Sequence, residues 1–278
     1  MSDKSINNIK NALNNKEAYE RDITEYARIL RDRSNKNKID DFCKLRAFDK
    51  ETVEDCGIFY IAEMNEMLVP SHFDRIDTLG VISETNKKPI FNARWVIPIK
   101  NSNGLIENFV GYSPYADERY IYGTARYYRR RETLYGLENI EMAYDLGYAF
   151  VTEGITDTIR LRDMGFKNSF AMCGTHSSDY IIEQLNRCRN GVILIPDRDK
   201  AGLSALKGWK FNRSIVIYIH HQFKDLDEMC SIRTDDGNKI KNDELIETFK
   251  ECANYCIDWV KSDEHRGKTF GKQRVTII

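Results

Sequence analysis

The stretch Gly191 to Gly202, GVILIPDRDKAG, constrains this chain more than any other. Val192 to Ile195 is a short apolar run rich in β-branched residues, the pattern of a parallel strand buried on both faces. It stops at Pro196 and delivers Asp197-Arg198-Asp199. Side chains alternate along an extended chain, so Asp197 and Asp199 project the same way if that conformation persists. Two carboxylates about 4 Å apart repel by roughly 4 kcal/mol at a surface-like dielectric. A divalent cation removes that penalty, and Mg²⁺ characteristically uses a few carboxylates together with substrate phosphates. Taken alone, the stretch reads equally as a strand end followed by a solvated acidic loop that caps a helix.

Two further apolar runs end in the same way. Tyr148 to Val151 leads into Thr152-Glu153-Gly154, with Asp157 four residues beyond Glu153. Ser214 to Ile219 leads through His220, His221 and Lys224 to Asp225-Leu226-Asp227-Glu228. In an open parallel sheet, ligands bind outside the carboxyl ends of the strands. Three strands delivering acids to one such edge is a coincidence that the solvated-loop reading does not explain.

The chain has 278 residues, with 31% charged, 41% hydrophobic and a net charge of −1. That composition suits a globular protein with a sizeable core, and gives no field for coating nucleic acid indiscriminately. Any nucleic-acid contact must therefore be local. There is no run of eighteen apolar residues and no apolar signal core at the N-terminus, so a cytoplasmic location is expected. The seven cysteines form no CxxC pair, and they read as reduced thiols with no zinc site.

Along the chain, Tyr19, Ile23, Tyr26 and Leu30 recur at helical spacing within a helical segment over residues 1–32. Arg33 to Lys38 is a polar break. Trp95 to Ile99 reads as a strand whose Pro98 demands an edge or a bulge. Asn101 to Gly104 supplies turn chemistry, and Phe109 to Tyr112 is the return strand. From Gly147 to about Glu228 strands alternate with helices at 155–164, 178–188 and 200–209, implying βαβ crossovers. A helix of about twenty residues follows, with Leu245, Phe249, Cys252, Cys256 and Val260 on one face. The tail Ser262 to Lys272 is polar, and Val275-Thr276-Ile277-Ile278 is apolar enough to dock.

Strand, Glu153-Gly154 with Asp157, the Gly174-Thr175 turn and then strand-DxDxAG together resemble the TOPRIM domain. Bacterial-type primases, type IA and type II topoisomerases and some nucleases share that domain. Lys224-Asp225-Leu226-Asp227-Glu228 is similar to its third acidic motif, which in primases usually has proline where this chain has Leu226. Leu45-Arg46-Ala47-Phe48, Glu51-Thr52-Val53 and Gly57-Ile58 resemble the segment after the primase zinc module, which runs roughly RGL, ETI, FGIG. The order of Arg94, Pro98-Ile99, Asn101 to Gly104, Arg119-Tyr120, a basic run and Leu134-Tyr135-Gly136-Leu137 resembles the N-terminal subdomain of the primase polymerase core.

The resemblance to a TOPRIM-containing bacterial or phage-type primase (a DnaG-like polymerase core without the zinc module) covers about residues 42–230. It implies an α/β fold: a TOPRIM-type parallel sheet with flanking helices, preceded by a small mixed subdomain and followed by a C-terminal helix. The expected divisions are an N-terminal helical segment at 1–40, the primase subdomain at 41–145, the TOPRIM subdomain at 146–232, and a C-terminal helix and tail at 233–278.

The implied activity is metal-dependent synthesis of short primers from nucleoside triphosphates on single-stranded DNA. Asp197, Asp199, Asp225 and Asp227 are the expected ligands of two or more Mg²⁺ or Mn²⁺ ions. Glu153 either joins them or takes a proton from the attacking hydroxyl. Asp157 is an outer ligand or a first-turn acid complementing the helix dipole. Gly174 and Thr175 form a turn that meets phosphate, or simply link strand to helix. Arg119 to Arg131 holds five arginines and no acid, interleaved with Tyr120, Tyr122, Tyr127 and Tyr128. Arginine pairs with phosphate and aromatic rings stack on bases. Arg94, Arg119, Tyr120, Arg129, Arg130 and Arg131 are therefore the expected template and nucleotide contacts.

Implied partners are the template, the triphosphates, and a replicative helicase or a separate start-site protein, with no membrane. The setting is a bacterial or phage-infected cytoplasm. Two alternatives stay open: a TOPRIM nuclease using the same acids to cut, and a non-catalytic primase relative that binds single strands or a helicase.

Overall fold

A computed structural model describes residues 3–63, 81, 89–124, 128, 132–173, 178–262 and 273–276. The chain divides into two compact units, one from Met1–Asp40 with Glu54–Tyr128, the other from Asp41–Val53 with Arg129–Ile278. The helical N-terminus therefore shares a unit with the mixed sheet. The short segment Asp41–Val53 goes with the parallel sheet, as does the C-terminal helix.

In the first unit, helix α1 (Asp3–Arg33) turns Tyr19, Ile23, Tyr26 and Leu30 inward, all four buried. They meet Phe59, Ile61, Val96 and Phe109 on one face of an antiparallel sheet. That sheet is a meander of β1 (Phe59–Ile61), β2 (Arg94–Lys100), β3 (Ile106–Tyr112) and β4 (Tyr120–Tyr122). A fully buried apolar side chain contributes roughly 1.5–3 kcal/mol, so this stripe holds the helix far more firmly than its polar flanks could. Pro98 pairs with Phe109, while β1 ends opposite Val96 and the register shifts between Ile99 and Lys100. The proline thus lies on the interior strand β2, but past the end of its neighbour and beside an irregularity, where a missing N–H costs no ladder bond. Asn101 closes the β2–β3 turn, its Oδ1 accepting from the N–H groups of Asn103 and Leu105 at 2.9 and 3.1 Å.

The second unit is built on β5 (Tyr148–Thr152), β6 (Ser169–Ala171), β7 (Gly191–Ile195) and β8 (Ser214–Tyr218), all parallel, with β11 (Gln273–Thr276) added beside β8. The order is β11-β8-β7-β5-β6. Every residue of β5 and β7 is buried. Phe150, Ile193 and Ile215 enter one core with Phe249, Cys256 and Val260 of the long helix Asp243–Lys261. Ala149, Val151, Val192, Leu194 and Val216 enter the opposite core with Leu134, Leu185 and Trp209. Alternate residues feeding two covered faces is why these strands read as unbroken apolar runs.

The remaining helices of this unit are α2 (Asn37–Arg46, only its C-terminal part), α3 (Lys50–Asp55, in part), α4 (Ile140–Leu146), α5 (Ile155–Asp163), α6 (Asp179–Asn186), α7 (Lys200–Gly208), α8 (Leu226–Met229) and α9 (Asp243–Lys261). A small hairpin of β9 (Ser231–Arg233) and β10 (Lys239–Lys241) precedes α9. None of the seven cysteines is paired in a disulfide among the described residues, and all lie buried or half-buried. No helix among the described residues is long and apolar enough to cross a membrane.

Candidate active site

The sheet order fixes where a ligand can enter. From β5 the chain crosses outward to β6 on one side, and from β7 it crosses to β8 on the other, while β5 and β7 lie side by side. The crevice beyond their carboxyl ends is the topological switch point of an open α/β sheet, where such folds bind ligands. Glu153 follows β5 directly, and Asp197 and Asp199 follow β7 after Pro196. Lys224 and Asp225 arrive from β8. The backbone N–H of Arg198 donates to the Lys224 carbonyl at 2.8 Å, which ties the second and third acidic loops together.

Four carboxylates share this edge. Asp197 is pushed up to about 7, first by burial and then by Glu153, Asp225 and Asp199, against the pull of Lys224. Burial also raises Glu153, with Asp199 adding to the rise and Lys224 opposing it. Asp225 is raised chiefly by burial and further by Asp227, despite the bond from the Glu228 N–H and the nearby charges of Arg46 and Lys224. Asp199 caps α7, accepting from the Gly202 N–H at 2.9 Å. Asp225 caps α8 in the same manner, accepting from the Glu228 N–H at 2.8 Å. These caps fix the carboxylates and leave each of them an oxygen to use elsewhere. Lys224 Nζ stands 3.9 Å from Asp197 and 3.8 Å from Asp199. Glu153 Oε2 is buried with no hydrogen-bond partner among the described residues.

A buried, unpartnered carboxylate oxygen beside three more raised or capped acids is the donor set that a hard divalent cation takes. Among the described residues, no three His, Cys, Asp or Glu side chains converge closely enough to enclose an ion by themselves. Open coordination of that kind suits Mg²⁺, which keeps several waters and completes its shell with substrate phosphates.

Asp157 and Asp227 stand behind this edge. Asp157 is buried on α5, and its Oδ1 accepts from the backbone N–H of Asp227 at 2.9 Å. Burial raises its carboxyl well above the usual range, with Asp225, Asp197 and Asp227 adding to the rise. Asp227 is buried too, but burial is outweighed by Arg46 at 2.7 Å, Arg160 at 3.0 Å and Lys239 at 2.8 Å, which hold it below the usual range. Both its oxygens are thus taken by cations of the protein.

Two glycines make room for the acids. A Cβ on Gly202 would stand 2.6 Å from the Asp197 carbonyl and 2.8 Å from Glu153 Oε2, and one on Gly154 would stand 2.6 Å from Asp157 Oδ2. The sequence reading did not give Gly154 or Gly202 this part, although both belong to the quoted motifs. It also left out Glu228, whose Oε2 accepts from the Lys224 N–H at 2.6 Å and braces the turn. Arg160 and Lys239 carried no signal, and Arg46 was read only as part of the Leu45-Arg46-Ala47-Phe48 resemblance, because all three join Asp227 only through the fold.

The expected template contacts lie in the first unit or outside the described residues. Arg94 is buried, and its Nη1 donates to the Arg119 carbonyl at 3.2 Å, so its guanidinium props the β4 approach. Burial lowers its pKa against the pull of Glu118. Arg119 is exposed, and Tyr120 is half-buried with its ring 5.0 Å from Tyr112. Tyr60, Trp95, Tyr112 and Tyr120 occupy successive paired positions across the four strands, an aromatic row ending at the Tyr120 edge. Arg129, Arg130, Arg131, Gly174 and Thr175 lie outside the described residues.

Residues 150–230 match the Toprim-like family. The chain is 25% identical over 244 residues to the DNA primase of Thermotoga maritima, a match covering 81% of this chain and 43% of that one. It is 28% identical over 254 residues to the DNA primase of Borreliella burgdorferi, covering 84% and 48%. It therefore spans less than half the length of these two relatives. Among solved structures, it superposes on the Aquifex aeolicus primase (zinc-binding and RNA polymerase domains) with a TM-score of 0.64 at 22% identity, covering 85% of this chain and 60% of that one. The DnaG primase catalytic domain bound to single-stranded DNA gives 0.65 at 17% identity, covering 86% and 80%. The chain thus carries a Toprim-like domain within the fold of the DnaG-type primase catalytic core.

Proposed function

We propose that this chain is a DNA primase core that synthesises short (ribo)nucleotide primers on single-stranded DNA with Mg²⁺ or Mn²⁺. The observation that carries the reading is the set of four carboxylates, Glu153, Asp197, Asp199 and Asp225, gathered at the switch point, with Lys224 and, beside Asp225, Arg46 offsetting only part of their charge.

Glu153, Asp197, Asp199 and Asp225 would hold the metal. Ions bound there would supply charge neutralisation for the triphosphate and would polarise the attacking 3′-hydroxyl. Glu153, half-buried with one unpartnered oxygen, holds an ion or accepts the proton of that hydroxyl. Lys224 sits beside Asp197 and Asp199, where an ammonium steadies phosphate oxygens. Capped to backbone N–H groups, Asp199 and Asp225 stay fixed as charge develops, which is the preorganisation that phosphoryl transfer needs. Asp157 and Asp227 serve from behind. Arg119, Tyr120 and the basic run through Arg131 contact the template and the incoming nucleotide by phosphate pairing and stacking. A replicative helicase or start-site protein is the partner, in the cytoplasm.

Labelled nucleotide incorporation on unprimed and primed single-stranded DNA tests this, with Asp197→Asn alongside. Template-dependent oligomers that vanish in the variant support it. Metal-dependent strand scission without incorporation on either template would replace it with the nuclease reading.

A further inference from the structure

The motif Leu45-Arg46-Ala47-Phe48 has no part in the chemistry above, yet it is bound to the third acidic loop from below. Arg160 lies wholly buried on α5, with its guanidinium 4.3 Å from the Phe48 ring. Its Nη1 donates to the Ala47 carbonyl at 2.8 Å and to Asp163 at 3.0 Å. Its Nη2 donates to the Arg46 carbonyl at 2.6 Å and to Asp227 Oδ1 at 3.0 Å. Arg46 returns across the loop to Asp227 Oδ2 at 2.7 Å, where Lys239 of β10 also donates at 2.8 Å. Asp163 in turn accepts from the Asp49 N–H at 2.8 Å and pairs with Lys241 at 3.0 Å.

We infer that residues 46–48 form a clasp that positions Lys224 and Asp225, that Arg46 and Arg160 are positioning residues for the metal-binding edge, and that Asp227 is the clasp's fixed anion and binds no metal. This rests on the metal-dependent reading above.

Three cations already surround Asp227, so an approaching metal would meet their repulsion at that carboxylate, while Asp197 and Asp225 offer the opposite field. Every polar group of Asp227 is engaged. Its N–H donates to Asp157, its carbonyl accepts from Ser231 Oγ at 2.6 Å, and its carboxylate holds the clasp. Asp225 lies two residues upstream on the same turn, capping the helix that Asp227 anchors. A shift of the anchor moves the ligand. Ala47 sits at the centre with φ +55°, a left-handed conformation that a non-glycine residue adopts only when its surroundings impose it.

The test is Mn²⁺ binding to the intact chain, counted by electron paramagnetic resonance, for wild type, Asp197→Asn, Asp227→Asn, Arg46→Gln and the double variant Asp227→Asn/Arg46→Gln. Loss of an outer support typically weakens metal binding about tenfold. Asp227→Asn and Arg46→Gln are expected to weaken it by about that factor each, with the number of bound ions unchanged, and the double variant is expected to be no worse than either single one. Electrostatics alone gives Arg46→Gln the opposite sign, since removing a nearby positive charge tightens cation binding.

The clasp is overturned if Arg46→Gln tightens binding, if Asp227→Asn loses an ion as Asp197→Asn does, or if the two losses add. If Arg46→Gln does not fold by circular dichroism, Lys239→Met takes its place with the same expectations. A wild type that binds no Mn²⁺ removes the metal reading and the clasp together. Loss of an ion in both Asp197→Asn and Asp227→Asn removes the clasp alone.

Discussion

Gly202 and Glu153 approach so closely that a methyl group at 202 would stand 2.8 Å from Glu153 Oε2 and 2.6 Å from the Asp197 carbonyl. The glycine on the first turn of α7 therefore sets the distance between the first and second acidic loops. Gly202→Ala is expected to cost about 1–3 kcal/mol of stability, the usual penalty of overpacking. Activity should fall further, by roughly 10²-fold, because misplacing positioning groups by about 1 Å is that expensive. Thermal melting and single-turnover incorporation on the same preparation separate the two effects.

Asp197 and its neighbours are held together at a cost that substitution should expose. Burial and three other acids push Asp197 up to about 7. Asp197→Asn removes the repulsion while keeping the shape, so the variant without metal should melt a few degrees higher than wild type and incorporate no nucleotide. A variant that melts lower would show that the acids stabilise the fold rather than strain it.

The same groups set a pH dependence. A carboxyl raised in the folded state binds its proton more tightly there than in the unfolded chain. Its stabilising effect is present below the ordinary value of 3.8 and is lost as pH rises through about 7 for Asp197. Glu153, Asp157 and Asp225 are raised too and act in the same direction. Asp227, held low by its cations, acts oppositely, and its contribution disappears only as pH falls below 3.8. Without metal, the melting temperature should fall between about pH 5 and about pH 8. Millimolar Mn²⁺ should restore it at the higher pH and do little at the lower, since cation and proton compete for the same oxygens. Differential scanning calorimetry at the two pH values reads both.

Ala47 occupies the place of the glycine in the motif that its segment resembles, and its φ of +55° explains why glycine suits it. A left-handed L-residue costs roughly 1–2 kcal/mol, partly offset by the greater entropy that glycine loses on folding. Ala47→Gly is expected to raise stability by up to about 1 kcal/mol, or roughly 2–4 °C, with activity unchanged. A destabilised variant would mean that the methyl group packs usefully in the clasp.

How much was legible in the chain follows from which interactions are local. The strands at Tyr148–Thr152, Gly191–Ile195 and Ser214–Tyr218 could be read because both faces are covered and no polar residue interrupts them. Their acidic ends could be read because each lies within a few residues of its strand. The ion pairs of Asp227 could not be read from local pattern, since its partner Arg46 lies 181 positions away and Arg160 lies 67 away. Arg160 and Asp163 look like an ordinary exposed helix pair until the fold buries them. Arg94 looked like a ligand-facing cation, and only its burial and its bond to the Arg119 carbonyl show that it turns inward. The grouping of Asp41–Val53 with the parallel-sheet unit was equally hidden, because it joins segments far apart in sequence, as Arg46 and Asp227 are.

The measurement that bears most directly on the central claim is incorporation of labelled nucleoside triphosphates on unprimed single-stranded DNA with Mg²⁺ and with Mn²⁺, comparing wild type with Asp197→Asn and Asp225→Asn. The expected result is short, template-dependent oligomers from wild type and a loss of at least roughly 10²-fold in each variant, as when a transition-state charge loses its stabiliser. Oligomer synthesis that survives both substitutions would contradict the assignment of the switch-point carboxylates as the catalytic centre.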